Sequence, residues 1–130
     1  MLRTVFVVYL ALFGATSAWA APENPAMPTF RDIEYRYTGD DALPAGREAI
    51  MQAIPIGMPA VIAQQILRDA GARCKPMKRD PQTTRCSYND LTIVDDVAAD
   101  IQWKVLLHTA DDRVTSVSVD REIDRKGTQD

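Results

Sequence analysis

The chain is 130 residues long and carries 15 Lys and Arg against 18 Asp and Glu, for a net charge of −3. That length provides for one domain around one core, and the acidic balance excludes a general nucleic-acid binder, which is ordinarily basic. Two cysteines and a single histidine are too few for a zinc site, which takes about four ligands.

Residues 1–20, MLRTVFVVYLALFGATSAWA, read as a cleavable secretory signal. Arg3 supplies the charged start, Val5 to Phe13 the apolar run, and Ala18-Trp19-Ala20 the small-residue cleavage site. The run is well short of the roughly 20 residues that span a bilayer, so after cleavage the chain is expected to be periplasmic or secreted and not membrane-spanning. Residues 21–28, APENPAMP, hold three prolines and read as a flexible leader. Residues 29–125 are expected to form a single domain, and 126–130 a polar tail.

In FRDIEYRY (30–37), Ile33, Tyr35 and Tyr37 alternate with Glu34 and Arg36, the pattern of a strand with one buried face. TGDDALPAG (38–46) reads as a loop, and REAIMQAI (47–54) as a short helix that Pro55 ends. Gly57 and Pro59 mark a turn, with Pro59 suited to the first helical position. Ile62, Ile66 and Ala70 then recur every four residues, with Ala63 and Leu67 beside them, which is the buried stripe of an amphipathic helix. Gly71 is placed as the left-handed residue just past its end.

Cys74 and Cys86 enclose KPMKRDPQTTR. In an exported chain a lone pair of cysteines persists as a disulfide, and the spacing is far from the two intervening residues of a thioredoxin-type redox pair. Closing a loop of this size is worth about 3 kcal/mol. Arg73, Lys75, Lys78, Arg79 and Arg85 crowd the segment against a single acid, Asp80, and are the candidate binding residues. Asp90, Asp95, Asp96 and Asp100 follow with no basic residue among them, and the basic and acidic segments are expected to face each other.

RCSYND starts a strand and LTIV (91–94) reads as another. The clearest hairpin is DIQWKVLLHT (100–109), a turn at ADDR (110–113), and VTSVSVDREI (114–123). Trp103, Val105 and Leu107 share one face, with Lys104, Leu106 and His108 on the other. Val117, Val119 and Ile123 share a parity that Arg121 interrupts, and Val114 is out of phase with them, the mark of a bulge or a face change near the turn. The elements assemble into a two-layer α+β domain, one or two helices packed on a three- to four-stranded antiparallel sheet. Trp103, Val105 and Leu107 are expected to press against Ile62, Ile66 and Leu67, with the disulfide clamping helix to sheet.

The Gly-Met turn opening a helix in IPIGMPAVIAQQIL, followed by the hairpin WKVLLHTADDRVTSVSV whose acidic turn ends in an Arg-Val pair, resembles the small outer-membrane assembly lipoproteins of the SmpA/BamE type. The same helix-then-sheet domain occurs in β-lactamase-inhibitor-like proteins. The resemblance covers about residues 54–120 and implies a small exported domain that works by holding another protein. The chain departs from the lipoproteins in lacking a lipid-bearing cysteine after its apolar run.

Nothing in the sequence assigns a catalytic residue, a metal or a cofactor. His108 lies on the outer parity of its strand and reads as a solvated side chain, and Asp111 and Asp112 as turn residues. Asp95, Asp96 and Asp100 have neither the spacing nor the closing Glu of a calcium loop, and there is no phosphate-binding loop or nucleophile elbow. The expectation is a non-catalytic protein-binding module with a protein partner in the cell envelope. Two alternatives stay open: a secreted inhibitor or immunity-type protein that blocks an enzyme, and a clamp for anionic lipid headgroups or phosphorylated glycans built on the basic loop.

Overall fold

The computed structural model describes residues 27–125; residues 1–20, read as a signal, residues 21–26 of the expected leader and residues 126–130 lie outside the described residues. The elements run α1 (Phe30–Arg36), a 3₁₀ turn (Gly39–Asp41), α2 (Ala42–Ala53), α3 (Ala60–Asp69), β1 (Arg73–Pro76), β2 (Thr83–Val94), β3 (Val97–Ala110) and β4 (Arg113–Arg125). The strands form one antiparallel sheet in the order β1-β2-β3-β4. The helices pack on one face of it, which is the expected two-layer α+β architecture.

The segment 30–37 is a helix, not the strand that its alternation suggests. Thr29 Oγ1 caps α1 by accepting the Asp32 N–H at 3.1 Å. Phe30 and Ile33, three residues apart, are its buried residues, while Tyr35 is 90% exposed. The period that matters is therefore three, and the alternating tyrosines are incidental. α2 begins at Ala42, inside the segment read as a loop. Pro44 is tolerated because it sits in the first turn, where its missing N–H has no intrahelical partner to lose.

Pro59 is the N-cap of α3 rather than its first helical residue. At the other end Gly71, at φ 107°, donates its N–H to the Arg68 carbonyl at 2.9 Å, and Ala72 donates to Leu67, also at 2.9 Å. This pair of reverse bonds is a Schellman motif, and it requires the left-handed glycine expected there. The buried line of α3 is Ala63, Leu67 and Ala70, with Ile66 half-buried and Ile62 49% exposed. The stripe is rotated from the expected one because 63, 67, 70 satisfies helical spacing as well as 62, 66, 70 does. The small Ala63 turns inward and the branched Ile62 is left outside.

β2 is one continuous strand where two were expected, paired from Thr83↔His108 to Val94↔Val97. β1 was not foreseen: four residues after the Schellman motif pair with β2 as a short edge strand. Cys74 and Cys86 are directly opposite in that pair and form the expected disulfide. The bridge therefore joins two neighbouring strands, not helix to sheet. Asp95-Asp96 and Asp111-Asp112 close the two long hairpins, all four at positive φ between 51° and 63°, as two-residue type I′ turns demand. The register slips between His108 and Thr109. This is the anticipated bulge, and it turns Val114 into the core.

Trp103, fully buried, is the centre of that core. Phe30 packs on it with ring centroids 5.6 Å apart and stacks on Tyr88 at 5.3 Å. The indole also explains the charge that breaks the parity of β4. Trp103 Nε1 donates to Glu34 Oε1 at 2.7 Å, and Arg121 forks onto the same carboxylate at 2.6 and 2.9 Å while standing 5.9 Å over the indole ring. A buried charge is tolerated when it is paired and hydrogen-bonded, and this network ties α1 to β3 and β4.

Gly46 of α2 lies against the same ring. An added Cβ would stand 2.5 Å from Trp103 Cζ3 and closer still to Cη2. Gly46→Ala gains about 1 kcal/mol of helix propensity, yet forcing the buried indole aside costs about 1 to 3 kcal/mol. The expected net outcome is a lower denaturation midpoint with an unchanged denaturant slope; a higher midpoint would mean that the ring has room to move.

Tyr88 provides a pH-dependent check on the same packing. Its phenol is pushed up to about 12 from an ordinary 10, first by burial and then by Asp90, whose Oδ2 accepts the phenolic proton at 2.7 Å. The folded state thus holds the proton that the unfolded state releases. The contribution is complete below pH 10 and is lost as pH rises from 10 towards 12. A phenolate absorbance titration is expected to show a late-ionising tyrosine that disappears in Tyr88→Phe. A wild-type profile identical to the variant's would contradict this.

Candidate functional site

Alternation along the strands divides the sheet into two faces. Cys86, Ile101, Trp103, Val105, Leu107 and Val119 point to the helices and are buried. Among the described residues no helix covers the opposite face. Across it the register aligns Lys75, Arg85 and Leu106 in one row, Arg73, Ser87, Lys104 and Asp120 in the next, and Asn89, Gln102 and Glu122 in the one after.

Three of the five candidate binding residues, Arg73, Lys75 and Arg85, therefore share this open face, because their parity is opposite to that of the two cysteines. Lys78 and Arg79 ride on the exposed loop between β1 and β2. Lys104 joins the group from β3, a member missed in the sequence because it lies far away in the chain. The β2–β3 register that seats it beside Ser87 was the signal needed. Among the described residues the ion pair is Glu34–Arg121, so none of these six cations stands in one. Lys75 and Arg85 are moreover directly opposite each other, an unfavourable placement for like charges.

The one acid of the loop does not neutralise them. Asp80 accepts the Thr83 hydroxyl at 2.7 Å through Oδ2 and the Gln82 N–H at 3.2 Å through Oδ1. Since the Thr83 proton goes to Asp80, the 3.1 Å contact between Thr83 Oγ1 and His108 Nδ1 is a bond in which the imidazole N–H donates. The sole histidine is therefore half-buried and held by Thr83 rather than freely solvated. The relay fixes the base of the loop to β3, and Thr109, which bonds the Gln82 carbonyl through its hydroxyl at 2.8 Å, reinforces it.

The basic and acidic segments do not face each other. The loop precedes β2 and the Asp95-Asp96 turn follows it, so a strand of 12 residues, roughly 35 to 40 Å long at about 3.3 Å per residue, separates them. Asp100 does lie on the open face, together with Glu122 and Asp124 from β4, and with Asn89, Ile101 and Gln102 these line an open depression of about 430 Å³. The face is thus bipolar: Arg73, Lys75 and Arg85 gather at the β1–β2 corner and Glu122 and Asp124 at the diagonal β3–β4 corner, with Lys104 of β3 and Asp120 of β4 opposite each other between them.

No family model, curated protein or solved structure matches the chain. Among the described residues no group of three or more His, Cys, Asp and Glu is arranged to hold a metal ion, and no helix is long and apolar enough to cross a membrane.

Proposed function

We propose that the chain is an exported, non-catalytic protein-binding module of the cell envelope, and that the open face of its sheet receives the partner. The observation that carries this is the set of cations without ion-pair partners on one continuous face that the helices leave uncovered. Complementary charge across an interface sets register and specificity and speeds encounter. Beside the charges the same face exposes Leu91 and Ile93 at one end of β2, apolar area that a protein partner would bury. The same role is what the resemblance of residues 54–120 to the small envelope-assembly proteins implies. An anionic lipid or glycan is the less favoured ligand of the basic corner, because a flat anionic surface pressed on this face would also meet Asp120, Glu122 and Asp124.

The test is affinity capture from native envelopes with the wild type and with Lys75→Glu/Arg85→Glu. Envelope proteins retained by the wild type at low salt and lost by the variant are the expected result. Equal capture by both would remove the face from the proposal. Co-sedimentation with anionic vesicles that Lys78→Ser/Arg79→Ser abolishes would transfer the basic loop to lipid. Native protein that retains Met1 would overturn export.

A further inference from the structure

The open face is self-complementary, and we propose that it also pairs with the open face of a second copy of this chain. The inference rests on the reading of that face as a docking surface and names one occupant. Its basic corner (Arg73, Lys75, Arg85) and its acidic corner (Glu122, Asp124) lie at opposite ends of one diagonal of the sheet, with Lys104 and Asp120 opposite each other between them. A twofold axis in the plane between two such faces, perpendicular to that diagonal, exchanges the corners. Each copy then lays its cations over the carboxylates of the other, and a closed isologous dimer results.

Two features favour this occupant over a partner of a single charge. The directly opposed Lys75 and Arg85 repel each other in the free chain, and a carboxylate brought over them relieves that cost. The acidic corner is also recessed: the depression of about 430 Å³ lined by Asn89, Asp100, Ile101, Gln102, Glu122 and Asp124 has room for the end of a long basic side chain, with the carboxylates of Glu122 and Asp124 and the amide oxygens of Asn89 and Gln102 to accept its N–H groups.

The size of the face sets the strength. Four strands about 4.8 Å apart, over some eight residues at about 3.4 Å, cover roughly 500 Å² per copy, which is near the lower limit for a specific interface. Association is therefore weak, electrostatic and sensitive to salt.

Sedimentation of the purified chain at high micromolar concentration is expected to show a monomer–dimer equilibrium at low ionic strength that shifts to monomer in high salt. Lys75→Glu/Arg85→Glu and Glu122→Lys/Asp124→Lys, all at exposed positions, are each expected to be monomeric alone, and an equimolar mixture of the two to form a heterodimer. Wild type that stays monomeric at low salt overturns the pairing, as does a dimer that survives in both variants. Circular dichroism melts of the variants separate misfolding from lost association. A monomeric chain whose capture of envelope proteins still depends on Lys75 and Arg85 would overturn the pairing and leave the proposed function standing; loss of both results would overturn both.

Discussion

Truncation of Trp103 to Ala is expected to lower the free energy of unfolding by about 3 to 5 kcal/mol, the cost of deleting a large buried side chain and leaving a cavity. The ring is fully buried between α1, α2 and the sheet, so no solvent-facing movement can fill the space. Equilibrium denaturation measures the loss, and a variant that melts like the parent would mean that the indole is not central to the core. A second substitution sharpens the test. Gly46→Ala is unfavourable only because its new methyl meets the indole. In the Trp103→Ala background the same change is expected to be neutral or stabilising, since the methyl then enters the vacated space and helix propensity improves. Penalties that simply add in the double mutant would place the two residues out of contact.

Replacement of Arg121 by Met is expected to cost about 3 kcal/mol, the lower end of the penalty for stripping one partner from a buried ion pair. The side chains of Arg121 and Glu34 are 8% and 12% exposed, so water reaches the pair only at its margin. The damage arises because the Glu34 carboxylate stays in place with the Trp103 N–H as its remaining hydrogen bond. Arg121→Met combined with Glu34→Gln is accordingly expected to cost less than Arg121→Met alone plus Glu34→Gln alone, because an amide needs no counter-charge. Chemical denaturation of the four proteins gives the coupling. A coupling of zero would mean that the carboxylate and the guanidinium act independently and that α1 is held by Phe30 and Ile33 alone.

Both predictions concern α1, the element that the sequence misrepresents. Ile33, Tyr35 and Tyr37 alternate as in a strand, and nothing local tells that pattern from a one-turn apolar pair at Phe30 and Ile33. Phe30 stacks on Tyr88, and Glu34 meets Arg121 87 residues away; these are long-range contacts that override weak local preference. The same limit hides the open face. Lys75, Arg85 and Lys104 become neighbours through register, and register depends on which face the helices cover.

The amino-acid sequence by itself determined the features that one turn or one alternation encodes. These are the end of α3 at Gly71, the inward parity of Trp103, Val105 and Leu107, the bulge beside Val114, and the pairing of the two cysteines. Each follows from a backbone conformation or a periodicity confined to a few residues, or, for the cysteines, from there being one way to pair them. The tertiary structure decided which side of α3 is buried, that residues 30–36 coil, that β1 exists, and that cations and carboxylates sit at diagonal corners of one uncovered face. Those outcomes depend on contacts between segments far apart in the chain, whose energies exceed the small local differences that a sequence pattern expresses.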